Sequence, residues 1–206
     1  MYECVFREMV DGGPLHTKLI CSILSGFEPV DAEHLLIAPI VFTAPNQNPD
    51  AYAGTTIVDG RVTILINQSK CNNITPIEVF ETLQHELIHA DIHRRLLRDY
   101  NWNEELGSIS EAFLKMVELE YGTQATLSQH EFMLDYYLDI MAESLIAANN
   151  NIGSKEDFLG LLLNGFEEEV LDCKGLTLED VAVLYGNYIS FINQPGNLNS
   201  IFSGCN

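Results

Sequence analysis

The spacing of apolar residues changes along this 206-residue chain, and the changes mark its elements. Residues 14–25 have the pattern of a short helix. Leu35 to Thr43 (LLIAPIVFT) reads as a strand interrupted by Pro39, and a proline suits an edge or bulged position because it cannot donate to a ladder. Tyr52 to Val58 and Arg61 to Asn67 form two β-rich arms around Asp59-Gly60, the strongest short signal for a hairpin. A helix then opens sharply. Thr75 is its N-cap, Pro76 occupies the first helical position, where a missing donor costs nothing, and Glu78 completes a capping box; the pattern carries it to about Leu97. Further helices are signalled by Ser110 before EAFLKMVELEY, by Ser128 with Glu131, by Ser154 with Asp157 and by Thr177 with Asp180. The expected fold class is α+β: a small, mainly antiparallel sheet packed on a helical body, with the long helix between them. No repeat or charge block divides the chain, so residues 1–192 read as a single domain and 193–206, rich in turn residues, as a surface tail.

Composition narrows the class of partner. Ten Lys and Arg against thirty Asp and Glu leave a net charge of −20, and the densest basic run, His93 to Arg95 with Arg98, falls at a helix end where cations favour the dipole. Nucleic acid is therefore not an expected partner. Apolar residues make up 47% of the chain, too many for disorder, and no apolar run is long enough to cross a bilayer, so no membrane partner is expected. The five cysteines are scattered without a C-x-x-C pair and read as free thiols in a reducing compartment. With no apolar signal core in MYECVFREMVDGG, the expected location is cytoplasmic.

Candidate chemistry lies inside the long helix, at His85-Glu86-Leu87-Ile88-His89. Positions i and i+4 share a helix face, so both imidazoles can reach one metal ion while Glu86 is set beside a water on it. A hairpin directly before such a helix suits a metallopeptidase, with one strand, Val62 to Ile66, to align an extended peptide and one helix to hold the metal. Phe80, Leu83 and Leu87 make one apolar stripe and Ile77, Ile88 and Ile92 cover another side, so this helix is expected to be buried on more than one face. Polar groups inside it are costly unless something satisfies them. The competing reading is a chance pair of core histidines.

A zinc site with three protein ligands and an open position needs one more residue. His93 lies eight residues past His85, about 12 Å along a straight helix, too far for the same ion, and reads as a helix-end residue. The helix opened by Ser128 offers two neighbours. Glu131 with Asp135 resembles the arrangement of thermolysin-type enzymes, in which a helical glutamate binds zinc and an acid one turn later supports a histidine. Glu131 also has a competing role in the capping box with Ser128, whereas His130 has no such local employment. On geometry both remain candidates, with Asp135 better suited to supporting a ligand than to being one.

The stretch Gly60 to Asn67, then Thr75-Pro76-Ile77-Glu78, His85-Glu86-Leu87-Ile88-His89-Ala90 and His130-Glu131-Phe132-Met133 resembles the bacterial SprT-like and related zincin peptidases. In that family a strand precedes H-E-x-x-H-A, and a later histidine opening another helix supplies the third ligand. The resemblance covers about residues 52–145. It implies a zincin-like metallopeptidase fold, zinc held by His85, His89 and His130, and a catalytic Glu86. Members that work at DNA are usually basic and carry a cysteine-rich zinc ribbon, which this chain lacks. The function expected is thus zinc-dependent hydrolysis of peptide bonds with Glu86 as general base. The alternative is a catalytically silent zinc-binding or structural protein on the same fold. Tyr136 and Tyr137 are candidates for an oxyanion contact but read first as core; Asp91, Asp139 and Glu143 are candidates for supporting an imidazole but read first as solvated; His16 and His34 read as structural or exposed.

Overall fold

A computed structural model describes residues 1–11, 13–27, 35–40, 50–103, 108–122, 128–164, 166, 168–172 and 174–198. In chain order the described elements are α1 (Tyr2–Val10), α2 (Lys18–Ser25), β1 (Leu35–Ile40), β2 (Ala53–Val58), β3 (Arg61–Asn67), a 3-10 turn (Gln68–Asn73), α3 (Pro76–Arg98), α4 (Ile109–Tyr121), α5 (Gln129–Tyr136), α6 (Leu138–Ala148), α7 (Lys155–Leu163), α8 (Glu168–Asp172) and α9 (Leu178–Ile192). The fold is α+β, and α3 runs through its centre against β2, β3, α1, α2, α4 and α7.

The capping rules set most helix starts. Reciprocal capping boxes join Thr75 to Glu78, Ser128 to Glu131, Ser154 to Asp157 and Thr177 to Asp180. The helix expected from Ser110 starts two residues earlier, because Ser108 is the residue with an acid three positions on and forms the box with Glu111. At the hairpin, Asp59 and Gly60 both have positive φ (50° and 75°), the conformation a two-residue turn of type I′ requires.

The sheet differs from expectation. Among the described residues it has three strands in the order β1-β3-β2; β2 pairs antiparallel with β3, but β1 pairs parallel with it, so the sheet is mixed rather than mainly antiparallel. Strand pairing joins segments remote in sequence, and the direction of β1 is not written in its own residues. Pro39 does lie on an edge strand, and 41–43 fall outside the described residues. The second consequence concerns substrate alignment: β3, which carries Val62 to Ile66, is paired on both sides and has no free ladder to offer. Among the described residues β1 and β2 are the edge strands, and β2 is the one packed on α3. Tyr52 accepts from the Asn67 N–H directly opposite it, so by alternation the N–H and C=O groups of Ala53, Thr55 and Ile57 face away from β3.

Helix α3 is buried on several sides, with Ile77, Val79, Phe80, Leu83, Leu87, Ile88, Ala90, Ile92 and Leu96 all removed from solvent. Each large apolar side chain among them contributes about 1.5–3 kcal/mol of burial, which holds the helix against the sheet. Gly160 allows α7 to meet α9: a Cβ there would lie 2.2 Å from the backbone nitrogen of Tyr185. That close approach brings Leu161 of α7, Asn164 just after it and Tyr185 of α9 to one wall of the same cleft.

Two expectations about the chain's periphery change. Cys4 is disulfide-bonded while Cys21 is free and exposed, so the reading of free thiols throughout fails at Cys4, and with it the thiol argument for a reducing compartment. Pairing of cysteines is a tertiary property that spacing does not encode. The segment after α9 begins tied down: the buried Asn149 donates to the carbonyls of Ile152 and Asn197, and Leu198 packs against the core. Residues 199–206 and His34 lie outside the described residues. Among the described residues no helix is long and apolar enough to cross a membrane.

Candidate metal centre

One turn of α3 stacks His85 under His89, and the start of α5 brings His130 to the same point. The ligand nitrogens of the three lie within 4.8 Å of one another, close enough to bind one metal ion. Their ring centroids are 5.0 to 5.3 Å apart, and the Nε2 atoms of His85 and His89 are separated by 3.2 Å. Phe166 packs its ring edge against both His85 and His130, closing one flank with an apolar wall.

Burial favours the uncharged imidazoles that a metal requires. The His85 ring is lowered to about 3, first by desolvation and then by His130, and His89 is pushed well below its ordinary value by burial and by both neighbouring histidines. His89 Nδ1 lies 2.8 Å from Gln129 Oε1, an oxygen that only accepts, so Nδ1 carries the proton and Nε2 is left as the ligand atom. Gln129 is thus a supporting residue that the sequence reading missed, adjacent to the histidine it selected. Gln129→Ala is expected to weaken metal affinity by roughly 10–100-fold, the usual cost of removing a group that orients a ligand, measurable by competition with a chromophoric chelator.

Glu131 is otherwise occupied. Its carboxylate accepts from the Ser128 N–H, and its own N–H donates to Ser128 Oγ at 3.1 Å. Asp135 pairs with Lys174, Asp139 with Lys155, and Asp91 with Arg94, so none of these acids supports an imidazole. Tyr136 stacks on Tyr121 and Phe132, and Tyr137 on Phe132; neither lines the cleft. His16 donates to the Met9 carbonyl, away from the site.

Two histidine and carboxylate placements go beyond the sequence reading. His93 lies in the last two turns of α3, near the helix end as expected, but it is buried there: it is only 5% exposed, among the described residues its Nδ1 has no partner, and burial lowers the ring to about 4. Glu86 is buried beside the histidines, and burial raises its carboxyl to about 7 even though a hydrogen bond from Thr55 pulls the other way. Thr55 Oγ1 lies 2.6 Å from Glu86 Oε2 and 3.0 Å from the Glu86 carbonyl oxygen, which ties edge strand β2 to the helix at the site. Thr55 was not singled out in the sequence; only the pairing of β2 beside α3 brings it there.

The three histidines and Glu86 open on a cleft of about 700 Å³ between β2, α3, α5 and the α7–α9 wall. Three histidines able to hold a metal ion, a buried carboxylate and the edge strand β2 therefore meet in one space large enough for part of a peptide. No protein-family model, no curated protein and no solved structure matches this chain.

Proposed function

We propose that this chain is a zinc-dependent peptidase of zincin type, with His85, His89 and His130 holding the ion and Glu86 as general base. The observation that carries the reading is the arrival of His130, from a separate helix, at the i, i+4 histidine pair beside a buried carboxylate in an open cleft. The donor set fits zinc. A tetrahedral ion with ordinary zinc–nitrogen bonds holds neighbouring nitrogens about 3.3 Å apart, and the His85 and His89 Nε2 atoms are 3.2 Å apart. Among the described residues the cluster has three ligands, and an open position is what distinguishes catalytic from structural zinc.

When bound, zinc supplies Lewis acidity that polarises a carbonyl and acidifies a water. The chain's own residues do the rest. Glu86 accepts the proton of the attacking water on its carboxylate and returns it to the leaving amine, while Thr55 steadies Oε2. Gln129 keeps His89 in the tautomer that leaves Nε2 free. The outward N–H and C=O groups of Ala53, Thr55 and Ile57 pair with an extended peptide, a role expected of β3 from the sequence and assigned here to the edge strand.

Elemental analysis tests the reading: about one zinc per chain is expected in the wild type and none in a His85→Ala, His89→Ala double variant. Equal metal in both overturns it. Zinc-loaded protein that cleaves no member of a broad peptide mixture would leave the silent zinc-binding alternative in its place.

A further inference from the structure

Residues 81, 85, 89 and 93 follow one another at four-residue intervals on α3, and all four side chains line the cleft. The middle two are the metal-binding pair. The first, Glu81, is only 7% exposed, and among the described residues no hydrogen bond or ion pair reaches its carboxyl. The other acids of the wall are accommodated: Glu78 accepts from Tyr185 and from Thr75, Glu86 from Thr55, and Asp50 pairs with Lys70. Among the described residues that line the cleft there is no Lys or Arg.

A carboxylate taken out of water without a partner costs several kcal/mol, and its neighbours aggravate the cost. Burial first, then the charges of Glu86 and Glu78, hold the Glu81 carboxyl well above the ordinary range. A leucine at this position would cost nothing of the kind. The side chain instead presents to the cleft, about 6 Å along the axis from His85, a carboxyl that no described residue engages, and an arriving cation would offset both the burial and the neighbouring negative charges that disfavour its ionised form. We propose that Glu81 is a specificity residue that receives a positively charged group of the peptide, either a Lys or Arg side chain or a free amino terminus, within about two residues of the scissile bond. A chain of net charge −20 also draws cationic peptides toward itself over distance. The inference rests on the peptidase reading for the ligand being a peptide; the charge it selects follows from Glu81 alone.

The experiment uses zinc-loaded full chain carrying Glu86→Gln, so that ligands persist, with C-terminally labelled neutral hexapeptides. Lys or isosteric norleucine is scanned through each position, and every peptide is made with a free and with an acetylated amino terminus. Fluorescence anisotropy is expected to show at least about tenfold tighter binding for one cationic placement, the scale of a charge-assisted hydrogen bond. Adding Glu81→Gln, which keeps shape and removes charge, is expected to shrink that preference to within about twofold. Preference tracking the Lys position identifies a side chain, and preference lost on acetylation identifies the amino terminus. Absence of any cationic preference, or a preference that survives Glu81→Gln, overturns the proposal. Cleavage by the otherwise wild-type chain is measured on the same peptides: cleavage without charge selectivity leaves the peptidase reading standing without Glu81, and charge-selective binding without cleavage does the reverse.

Discussion

His130→Ala is expected to weaken zinc binding by more than about 100-fold, beyond what removal of a merely supporting group costs, while Glu131→Gln and His93→Ala keep the metal. The three residues differ in what already engages them. Glu131 closes the α5 capping box, and glutamine can still fill that role, so its substitution tests the carboxylate without unfolding the helix start. His93 lies on the same helix face as His85 but about 12 Å along the axis, outside the reach of one ion. His130 alone of the three has its ring within about a ring's width of both His85 and His89, at 5.3 and 5.0 Å between centroids. Zinc affinities of the three variants, measured side by side by chelator competition on folded protein, separate the cases. A His130→Ala protein that binds zinc as tightly as wild type would replace His130 in the ligand set, and loss of zinc in Glu131→Gln would name its successor.

Glu86→Gln is expected to leave zinc bound and to lower peptide cleavage by at least about 100-fold, the scale of losing a positioned general base. Glutamine is isosteric, and its side-chain oxygen can still accept from Thr55, so the tie between β2 and α3 survives. What it lacks is an oxygen that takes up a proton and gives it back. The loss therefore falls on kcat rather than on metal content, and both are measured on the same preparation. Cleavage at the wild-type rate by well-folded, zinc-loaded Glu86→Gln would remove Glu86 from the mechanism and return the site to the silent zinc-binding reading.

Local rules account for what the sequence by itself determined. The start of α3, the i, i+4 placement of His85 and His89, the turn at Asp59-Gly60 and three further capping boxes each depend on residues within about four positions of one another, where backbone geometry leaves few choices. The competition between His130 and Glu131 was half legible for the same reason: the capping box that engages Glu131 is local, so the sequence could disfavour it, but the distance from α5 to α3 is not local. Only the tertiary structure decided the remainder. It turned β1 parallel to β3, set β3 at the centre of the described sheet with β2 at the edge beside α3, and bonded Cys4. It also brought Thr55, Gln129 and Tyr185 to the site and enclosed His93 and Glu81 in the cleft wall. Each of these joins segments far apart in the chain, and such contacts are chosen by how whole faces pack, a property that no window of a single sequence contains.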